Sequence, residues 1–265
     1  MKKIFISIPM TGVESSVLER YEEAIKHIPQ GYEPVEPADL RGSFDKNGLT
    51  EASYQHDVAW YMGKDIELIL RSNAIYSCYG WQSSKGCQVE RYTAGIYGLE
   101  LFEETKTVQA LSIFDFQEEC KKNSWDDSNV ENLKNLAFIS IITTPDVQKY
   151  HLEEDEEHWF KEDHSNVLNL EFDDCNKDRE WEGHKAYTIS EEQAKKIVEF
   201  IEKNLGRNFL IHCRAGISRS GAVAKFISMN YHGYNLVNDF TRPNQEVLRK
   251  LDRILWERHY DETKE

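Results

Sequence analysis

The stretch that decides the fold is Asn208-Phe-Leu-Ile-His-Cys213-Arg-Ala-Gly-Ile-Ser-Arg219-Ser-Gly-Ala-Val-Ala224. It contains an apolar run, a cysteine, five further residues, an arginine and then a helix-forming segment. This order predicts a buried strand that turns directly into a helix, with the thiol at the turn. Unpaired backbone N–H groups and the helix dipole favour anions at such a helix N-terminus. The stretch therefore predicts an anion site, and a phosphate group fits it.

The side chains of this turn are suited to phosphate chemistry. Its N–H groups and a neighbouring arginine favour the thiolate form of Cys213, which is therefore a predicted nucleophile. Arg219 can fold back over the loop, where its planar guanidinium would donate to two phosphoryl oxygens. Gly216 lets the backbone turn its amides inward. The hydroxyls of Ser218 and Ser220 are predicted to donate to the thiolate or to help it leave in the second step of the reaction.

The signature His-Cys-x5-Arg-Ser is met by His212, Cys213, Arg219 and Ser220. On these residues the C-terminal part resembles the cysteine-dependent protein tyrosine phosphatase superfamily, especially its compact dual-specificity-like enzymes of bacterial and phage type. The resemblance implies a phosphocysteine intermediate and no metal or cofactor, with His212 orienting the loop from behind. The alternative is a buried structural cysteine beside an incidental arginine. The implied phosphate-binding residues are Arg214, Ala215, Gly216, Ile217, Ser218 and Arg219.

A phosphatase of this kind also needs an acid to protonate the leaving oxygen, and the family carries it as an aspartate on a loop before the cysteine. Apolar and polar residues alternate over residues 166–172, as in a strand, and Asp173 and Asp174 follow directly. The sequence favours Asp174, with Asp173 and Asp178 as alternatives, because aspartate is also common in turns.

Composition restricts the partners. The net charge of −15 disfavours nucleic acid, since phosphate backbones would be repelled. Five cysteines without paired spacing, and no segment apolar enough to span a membrane, predict a cytoplasmic protein with free thiols. The short apolar run after Lys3 is interpreted as a first strand, not as a signal peptide. The acidic run from Glu153 to Glu157 is interpreted as a solvated helix face or loop.

Strand and helix patterns alternate along the chain, which predicts two α/β domains with parallel sheets. The polar residues 103–106 are the predicted junction, so that the domains span residues 1–104 and 105–265. Ser190 and Gln193 form a predicted capping box. The predicted strands are residues 3–8, 33–36, 74–79, 107–114, 136–142, 167–172 and 208–212, and the predicted helices are 16–28, 58–71, 86–97, 116–121, 190–205, 220–231 and 245–258.

Polar residues also gather where the predicted strands of the N-terminal half end. Ser7-Ile-Pro-Met10-Thr11-Gly12 ends the first strand, and Tyr79-Gly-Trp81-Gln-Ser-Ser84-Lys-Gly86-Cys-Gln-Val-Glu90 leads from the third strand into the third helix. Asp65 lies on the second helix. Serine and glycine at such turns also serve as ordinary caps and turns, which is the structural alternative.

Together these segments resemble the nucleoside 2-deoxyribosyltransferase-like superfamily over about the first hundred residues. The resemblance implies that Glu90 attacks the anomeric carbon of a nucleotide, that Asp65 assists, and that Ser84 binds the 5′-phosphate. It also implies assembly into a homo-oligomer. Ile8 and Gln82 depart from the family pattern and favour hydrolysis or binding over base exchange. The implied nucleotide-binding residues are Ser7, Met10, Thr11, Gly12, Trp81, Ser84 and Gly86.

The sequence thus predicts an N-terminal Rossmann-like parallel sheet followed by a cysteine-phosphatase α/β domain. In the predicted reaction Cys213 attacks phosphorus, Arg219 stabilises the charge and Asp174 protonates the leaving group of a nucleotide or nucleotide-derived small molecule. The first domain would bind the nucleotide and cleave its N-glycosidic bond. The alternative is a protein tyrosine or dual-specificity phosphatase acting on a phosphoprotein, with a nucleotide-sensing or oligomerising first domain. A third alternative is a pair of binding modules with degenerate sites.

Overall fold

The computed structural model describes residues 1–9, 17–38, 40, 58–151, 156–181, 183–238 and 242–262. The chain divides into two compact units, Met1–Thr105 and Lys106–Glu265. Each unit contains its own parallel sheet, so the predicted fold class of two α/β domains is confirmed. None of the helices in the described ranges combines the length and apolar composition that crossing a bilayer requires.

The first unit is built on a four-stranded parallel sheet of order β2-β1-β3-β4. Ile4 and Ile6 of the first strand pack on one side of the sheet with Tyr21. Phe5 packs on the other side with Ile69. Burial on both faces explains the nearly continuous apolar runs of the two central strands. The strands are β1 (Lys2–Ser7), β2 (Tyr32–Val35), β3 (Ala74–Ser77) and β4 (Glu100–Glu103), and the helices are α1 (Val17–Ala24), α2 (Val58–Leu70) and α3 (Lys85–Ile96).

The second unit contains a five-stranded parallel sheet of order β11-β5-β10-β6-β7 and a separate antiparallel pair, β8 and β9. Its strands are β5 (Lys106–Ser112), β6 (Leu136–Ile142), β7 (Val167–Glu171), β8 (Arg179–Trp181), β9 (His184–Ala186), β10 (Asn208–Cys213) and β11 (Tyr234–Leu236). Its helices are α4 (Ile113–Asn123), α5 (Pro145–His151), α6 (Glu191–Lys203), α7 (Arg219–Asn230) and α8 (Gln245–Glu262).

The quoted stretch forms the centre of this second sheet. β10 lies between β5 and β6, with Phe209 and Ile211 fully buried. Cys213 pairs in register with Ser112 at the end of β5. Because the carboxyl ends of parallel strands share one edge, the residues that follow β5, β6, β7 and β10 gather around Cys213.

Several elements differ from the sequence predictions for local reasons. β4 was not predicted, and its last residue falls in the predicted junction. Its residues are exposed or half-buried, so the strand lacks a clear apolar pattern. α4 begins at Ile113, three residues before the predicted start, since the Ser112 hydroxyl accepts the Asp115 N–H at 3.1 Å and caps the helix. The predicted capping box of Ser190 and Gln193 is confirmed.

Candidate active site

The thiol of Cys213 lies at the base of a loop, residues 214–218, between β10 and α7. It is 2% exposed. Its Sγ lies 3.1 Å from the Oγ of Ser220, and either atom can be the donor of this hydrogen bond. Ser220 is in the first turn of α7, so the helix N-terminus places a hydroxyl beside the sulfur. A hydroxyl in this position can stabilise a thiolate.

Gly216 allows the loop to approach the neighbouring strand closely. Its φ is +73°, in the left-handed region. A Cβ at this position would lie 2.4 Å from the backbone nitrogen of Ser112 and 2.5 Å from the carbonyl carbon of Leu111. Ala215 forms a β-bridge to Ser112 in the same region. The loop conformation around Cys213 therefore requires glycine at position 216.

Arg219 is the first residue of α7, and its side chain is anchored inside the protein. The residue is 4% exposed. Its Nη1 donates to the Phe172 carbonyl at 2.7 Å, and its Nη2 donates to Thr143 Oγ1 at 3.2 Å. These acceptors directly follow β7 and β6. The buried Nε has no hydrogen-bond partner among the described residues, so it is available to an incoming acceptor.

Two of the three candidate acids are hydrogen-bonded to residues outside the loop of Cys213. Asp173 is 3% exposed and accepts hydrogen bonds from the Thr144 hydroxyl at 2.8 Å and from the Tyr187 N–H at 2.8 Å. Asp178 is exposed and accepts the Thr188 N–H at 2.8 Å. These bonds stabilise the segment that follows β7, and none of them reaches the loop of Cys213.

Asp174 is hydrogen-bonded to the loop itself. Its Oδ1 accepts from Ser218 Oγ at 2.7 Å and from Asn244 Nδ2 at 2.8 Å. Ser218, which the sequence suggested as a donor to the thiolate, thus donates to this carboxylate instead. Asp174 is also exposed, so an arriving substrate can reach it. Its position suits a general acid at the mouth of the loop.

Asn244 is a site residue that the sequence analysis did not single out. It is 6% exposed and caps α8, because its Oδ1 accepts the N–H groups of Glu246 at 3.0 Å and Val247 at 3.1 Å. Its own N–H donates to the Ser218 carbonyl at 3.0 Å. The sequence signal is a capping one, an asparagine after Pro243 and directly before the predicted helix. That signal predicts the helix start but not the contact with Asp174.

Glu156 is another site residue that was not recognised from the sequence. The interpretation of the acidic run 153–157 as solvated is wrong at Glu156, which is 8% exposed, whereas Glu157 is exposed. Residues 153–155 of the run lie outside the described residues. The two carboxylate oxygens of Glu156 accept the N–H of Thr143 at 2.8 Å and the hydroxyl of Thr143 at 3.0 Å. Its Oε1 also lies 3.5 Å from Nη1 of Arg214. Through Thr143 this carboxylate supports the guanidinium of Arg219.

His212 contributes to the site by packing. It is fully buried, and its ring lies 4.3 Å from the ring of Phe116, centroid to centroid. Burial lowers the pKa of His212 to about 3, so the ring is neutral at physiological pH. Neither ring nitrogen has a hydrogen-bond partner in the described part of the chain. Within the described residues its ring packs against Phe116 of α4 and makes no hydrogen bond to the loop.

In the first unit, Ser7 and Glu90 meet at the carboxyl end of β1. Ser7 Oγ donates to Glu90 Oε2 at 2.6 Å, and the two residues are 0% and 7% exposed. Glu90 comes from α3, which follows β3 in the chain. Asp65, on α2, is 5% exposed and accepts the Ala38 N–H at 2.8 Å. Among the described residues of this unit, the carboxylates of Asp65 and Glu90 are buried, and that of Glu90 is held by the end of β1.

The other predicted nucleotide-binding residues have local roles where the structure describes them. Ser84 caps α3 by accepting the Cys87 N–H at 3.4 Å. Trp81 Nε1 donates to Glu103 Oε2 at 3.2 Å. Gly86 is the second residue of α3. Burial, followed by the charge of nearby Glu90, raises the pKa of the Cys87 thiol to about 11. Three further predicted residues, Met10, Thr11 and Gly12, lie outside the described residues.

Comparison with known proteins finds a similarity in the N-terminal part of the chain. No curated protein and no solved structure matches the chain. The matching family model, DUF4406, is described as a domain of unknown function, and its match does not extend into the second unit. The part of the chain that is similar to this family model is residues 2–103.

Proposed function

We propose that the second unit is a cysteine-dependent phosphatase that hydrolyses phosphate monoesters through a phosphocysteine. The observation that supports this proposal is the hydrogen bonding of the buried Arg219 guanidinium. Its two Nη atoms are held by fixed oxygens while its buried Nε lacks a partner among the described residues. A buried, unpartnered cationic donor is costly unless it binds an anion. The thiol of Cys213, six residues earlier and at the other end of the loop, is the nucleophile that such an anion would meet.

In the first step Cys213 Sγ attacks phosphorus, and the bond from phosphorus to the ester oxygen breaks. The amides of residues 214–218 and the guanidinium of Arg219 stabilise the charge on the phosphoryl oxygens. Asp174 gives its proton to the leaving oxygen, so the product leaves as an alcohol. This step leaves a phosphocysteine and an ionised Asp174.

In the second step Asp174 takes a proton from a water molecule, and the resulting hydroxide oxygen attacks phosphorus. The bond from sulfur to phosphorus breaks and inorganic phosphate leaves. Ser220 Oγ, 3.1 Å from the sulfur, donates to the departing thiolate. The enzyme returns to its starting state with Asp174 protonated and Cys213 ionised.

The first unit, in this proposal, binds a nucleoside 5′-monophosphate and cleaves its N-glycosidic bond. The supporting observation is the buried hydrogen bond of 2.6 Å from Ser7 to Glu90, which orients a carboxylate at the carboxyl end of a parallel sheet. A carboxylate can form an ester with the sugar carbon and be released by water. The two units would together remove base and phosphate from a nucleotide-derived molecule.

The phosphatase is tested by hydrolysis of an aryl phosphate. Wild-type protein is expected to release inorganic phosphate, and Cys213→Ser is expected to abolish the release, because an alcohol is a far weaker nucleophile at neutral pH. Cys120→Ala is the matched control, since it removes a buried thiol on α4. Full activity in Cys213→Ser would contradict the proposal.

The nucleotide activity is tested with a panel of ribo- and deoxyribonucleoside monophosphates, with free base and phosphate measured separately. Glu90→Gln is expected to stop base release and to leave aryl phosphate hydrolysis unchanged. Glu67→Gln, which changes a half-buried carboxylate on α2 that is ion-paired with Lys64, is the control. Turnover of phosphopeptides without turnover of any nucleotide would instead favour the protein phosphatase alternative.

A further inference from the structure

Asn244 joins three segments of the candidate phosphatase site. Its backbone N–H donates to the Ser218 carbonyl in the Cys213 loop at 3.0 Å. Its Oδ1 accepts two N–H groups from the first turn of α8 at 3.0 and 3.1 Å. Its Nδ2 donates to Oδ1 of Asp174 at 2.8 Å. A single residue, 6% exposed, thus connects the loop, the helix and the candidate acid.

The geometry distinguishes the two oxygens of Asp174. The donors from Ser218 and Asn244 both bond to Oδ1, at 2.7 and 2.8 Å. An oxygen that already accepts two hydrogen bonds is a poor place for the acid proton, so the proton belongs on Oδ2. The Ser218 hydroxyl can rotate, whereas the Asn244 amide plane is fixed by the two bonds that its Oδ1 accepts. Asn244 is therefore the more rigid of the two supports.

We propose that Asn244 is the positioning residue for the general acid. Its amide holds Oδ1 of Asp174, and Oδ2 then presents the proton to the leaving oxygen of a phosphate ester bound above Cys213. This inference rests on the proposed phosphatase function. It adds a role for α8, whose N-terminus is tied to the acid and to the loop by the same side chain.

Asn244→Asp tests the role through the pH profile. Aspartate keeps the cap of α8 and the bond from the backbone N–H, but it replaces the amide donor by a carboxylate. A second carboxylate beside Asp174 favours the protonated acid. The alkaline limb of the kcat/KM profile for an aryl phosphate is therefore expected to move to higher pH by roughly one unit or more. An unchanged limb in a folded variant would overturn the inference.

Apart from position 244 itself, Asn244→Asp changes none of the charged groups around Asp174, so the shift reports the group at that position. The titratable and charged groups on the segments that meet there are Asp173, Cys175, Asp178 and Arg179 beside it in the chain, Cys213, Arg214 and Arg219 of the loop region, and Arg242 and Glu246 around the start of α8.

Asn244→Ser gives a second, independent readout. Serine keeps a capping oxygen but is too short to hold Asp174, so proton delivery is impaired. The rate is expected to fall at least about tenfold more for phenyl phosphate than for p-nitrophenyl phosphate, because only the poorer leaving group depends strongly on the acid. Asn230→Ser, at the end of α7, is the matched control. An equal loss for both esters would indicate a merely structural role and overturn the inference.

The outcomes separate this inference from the proposed function. A wild-type protein without Cys213-dependent turnover would overturn both. An active, Cys213-dependent enzyme whose pH profile and leaving-group dependence are unaffected at position 244 would overturn the positioning role alone.

Discussion

At the scale of single residues, the partners of Arg219 explain which parts of the site can be read from the sequence. Cys213, Arg219 and Ser220 lie within eight positions and were identified together from one motif. The oxygens that hold the guanidinium come from Phe172 and Thr143, which are 47 and 76 positions away. No local pattern marks such acceptors. For the same reason the sequence did not reveal Glu156, whose acidic neighbours resemble a solvated segment.

Arg219→Lys tests whether the planar guanidinium is needed. Lysine keeps the charge but cannot reach Phe172 and Thr143 while also offering a third donor to phosphate. We expect kcat for an aryl phosphate to fall by about 10²–10³-fold, comparable to the loss of one preorganised donor in other enzymes. Arg249→Lys, an exposed residue on α8, is the control and should retain activity. Wild-type kcat in Arg219→Lys would show that the guanidinium plays no special part.

At the scale of elements, the strand, loop and helix around Cys213 were predictable because their sequence signals are strong and local. The apolar residues of β10 and the glycine and serines after it identify a strand that turns into a helix. Elements that the prediction missed, such as β8, β9 and β11, are three residues long and too short for a period to show. β4 was missed because an edge strand buries little of its surface.

Gly216→Ala tests the close approach of the loop to β5. Both Gly216 and Gly183 have positive φ, at +73° and +82°, so alanine at either position costs about 1–2 kcal/mol of backbone strain. Only at position 216 would the new Cβ meet backbone atoms, at 2.4 Å, whereas position 183 has nothing within 4 Å. We expect Gly216→Ala to lower the free energy of unfolding in urea by more than Gly183→Ala does. We also expect Gly216→Ala to lose most of its phosphatase activity.

Gly183→Ala, in the turn between β8 and β9, is the matched control and should keep its activity. Equal stability loss and equal activity in the two variants would contradict the close approach at position 216.

At the scale of the whole molecule, the division into two α/β units follows from the alternation of strand and helix patterns. The site chemistry of each unit depends on contacts between segments far apart in sequence, such as Ser7 with Glu90, 83 positions away. The family match covers only residues 2–103. The proposed function of the second unit therefore depends on its own residues and their geometry.

The buried His212 and the half-buried His158 predict an acid-sensitive second unit. Burial lowers the pKa of His212 to about 3 and that of His158 to about 4. In the unfolded chain both histidines titrate near about pH 6.5. Below that pH the unfolded state binds protons that the folded state does not, so the free energy of unfolding falls as the pH falls. The expected slope is up to about 1.4 kcal/mol per pH unit for each histidine between pH 6.5 and its folded pKa.

Hydrogen exchange of the β10 amides between pH 4 and 7 measures this dependence within the second unit. His158→Asn should flatten it, and the exposed His232→Asn should not. A slope that stays the same in His158→Asn would contradict the contribution of this histidine.

The most direct test of the whole account is to trap the covalent intermediate. Wild-type protein is mixed with an aryl phosphate, quenched in acid within one turnover and digested, and the peptide that contains Cys213 is examined by mass spectrometry. The account predicts one phosphoryl group on Cys213, absent in Cys213→Ser. Substrate turnover with no phosphoryl group on this cysteine, or with the group on another residue, would contradict it.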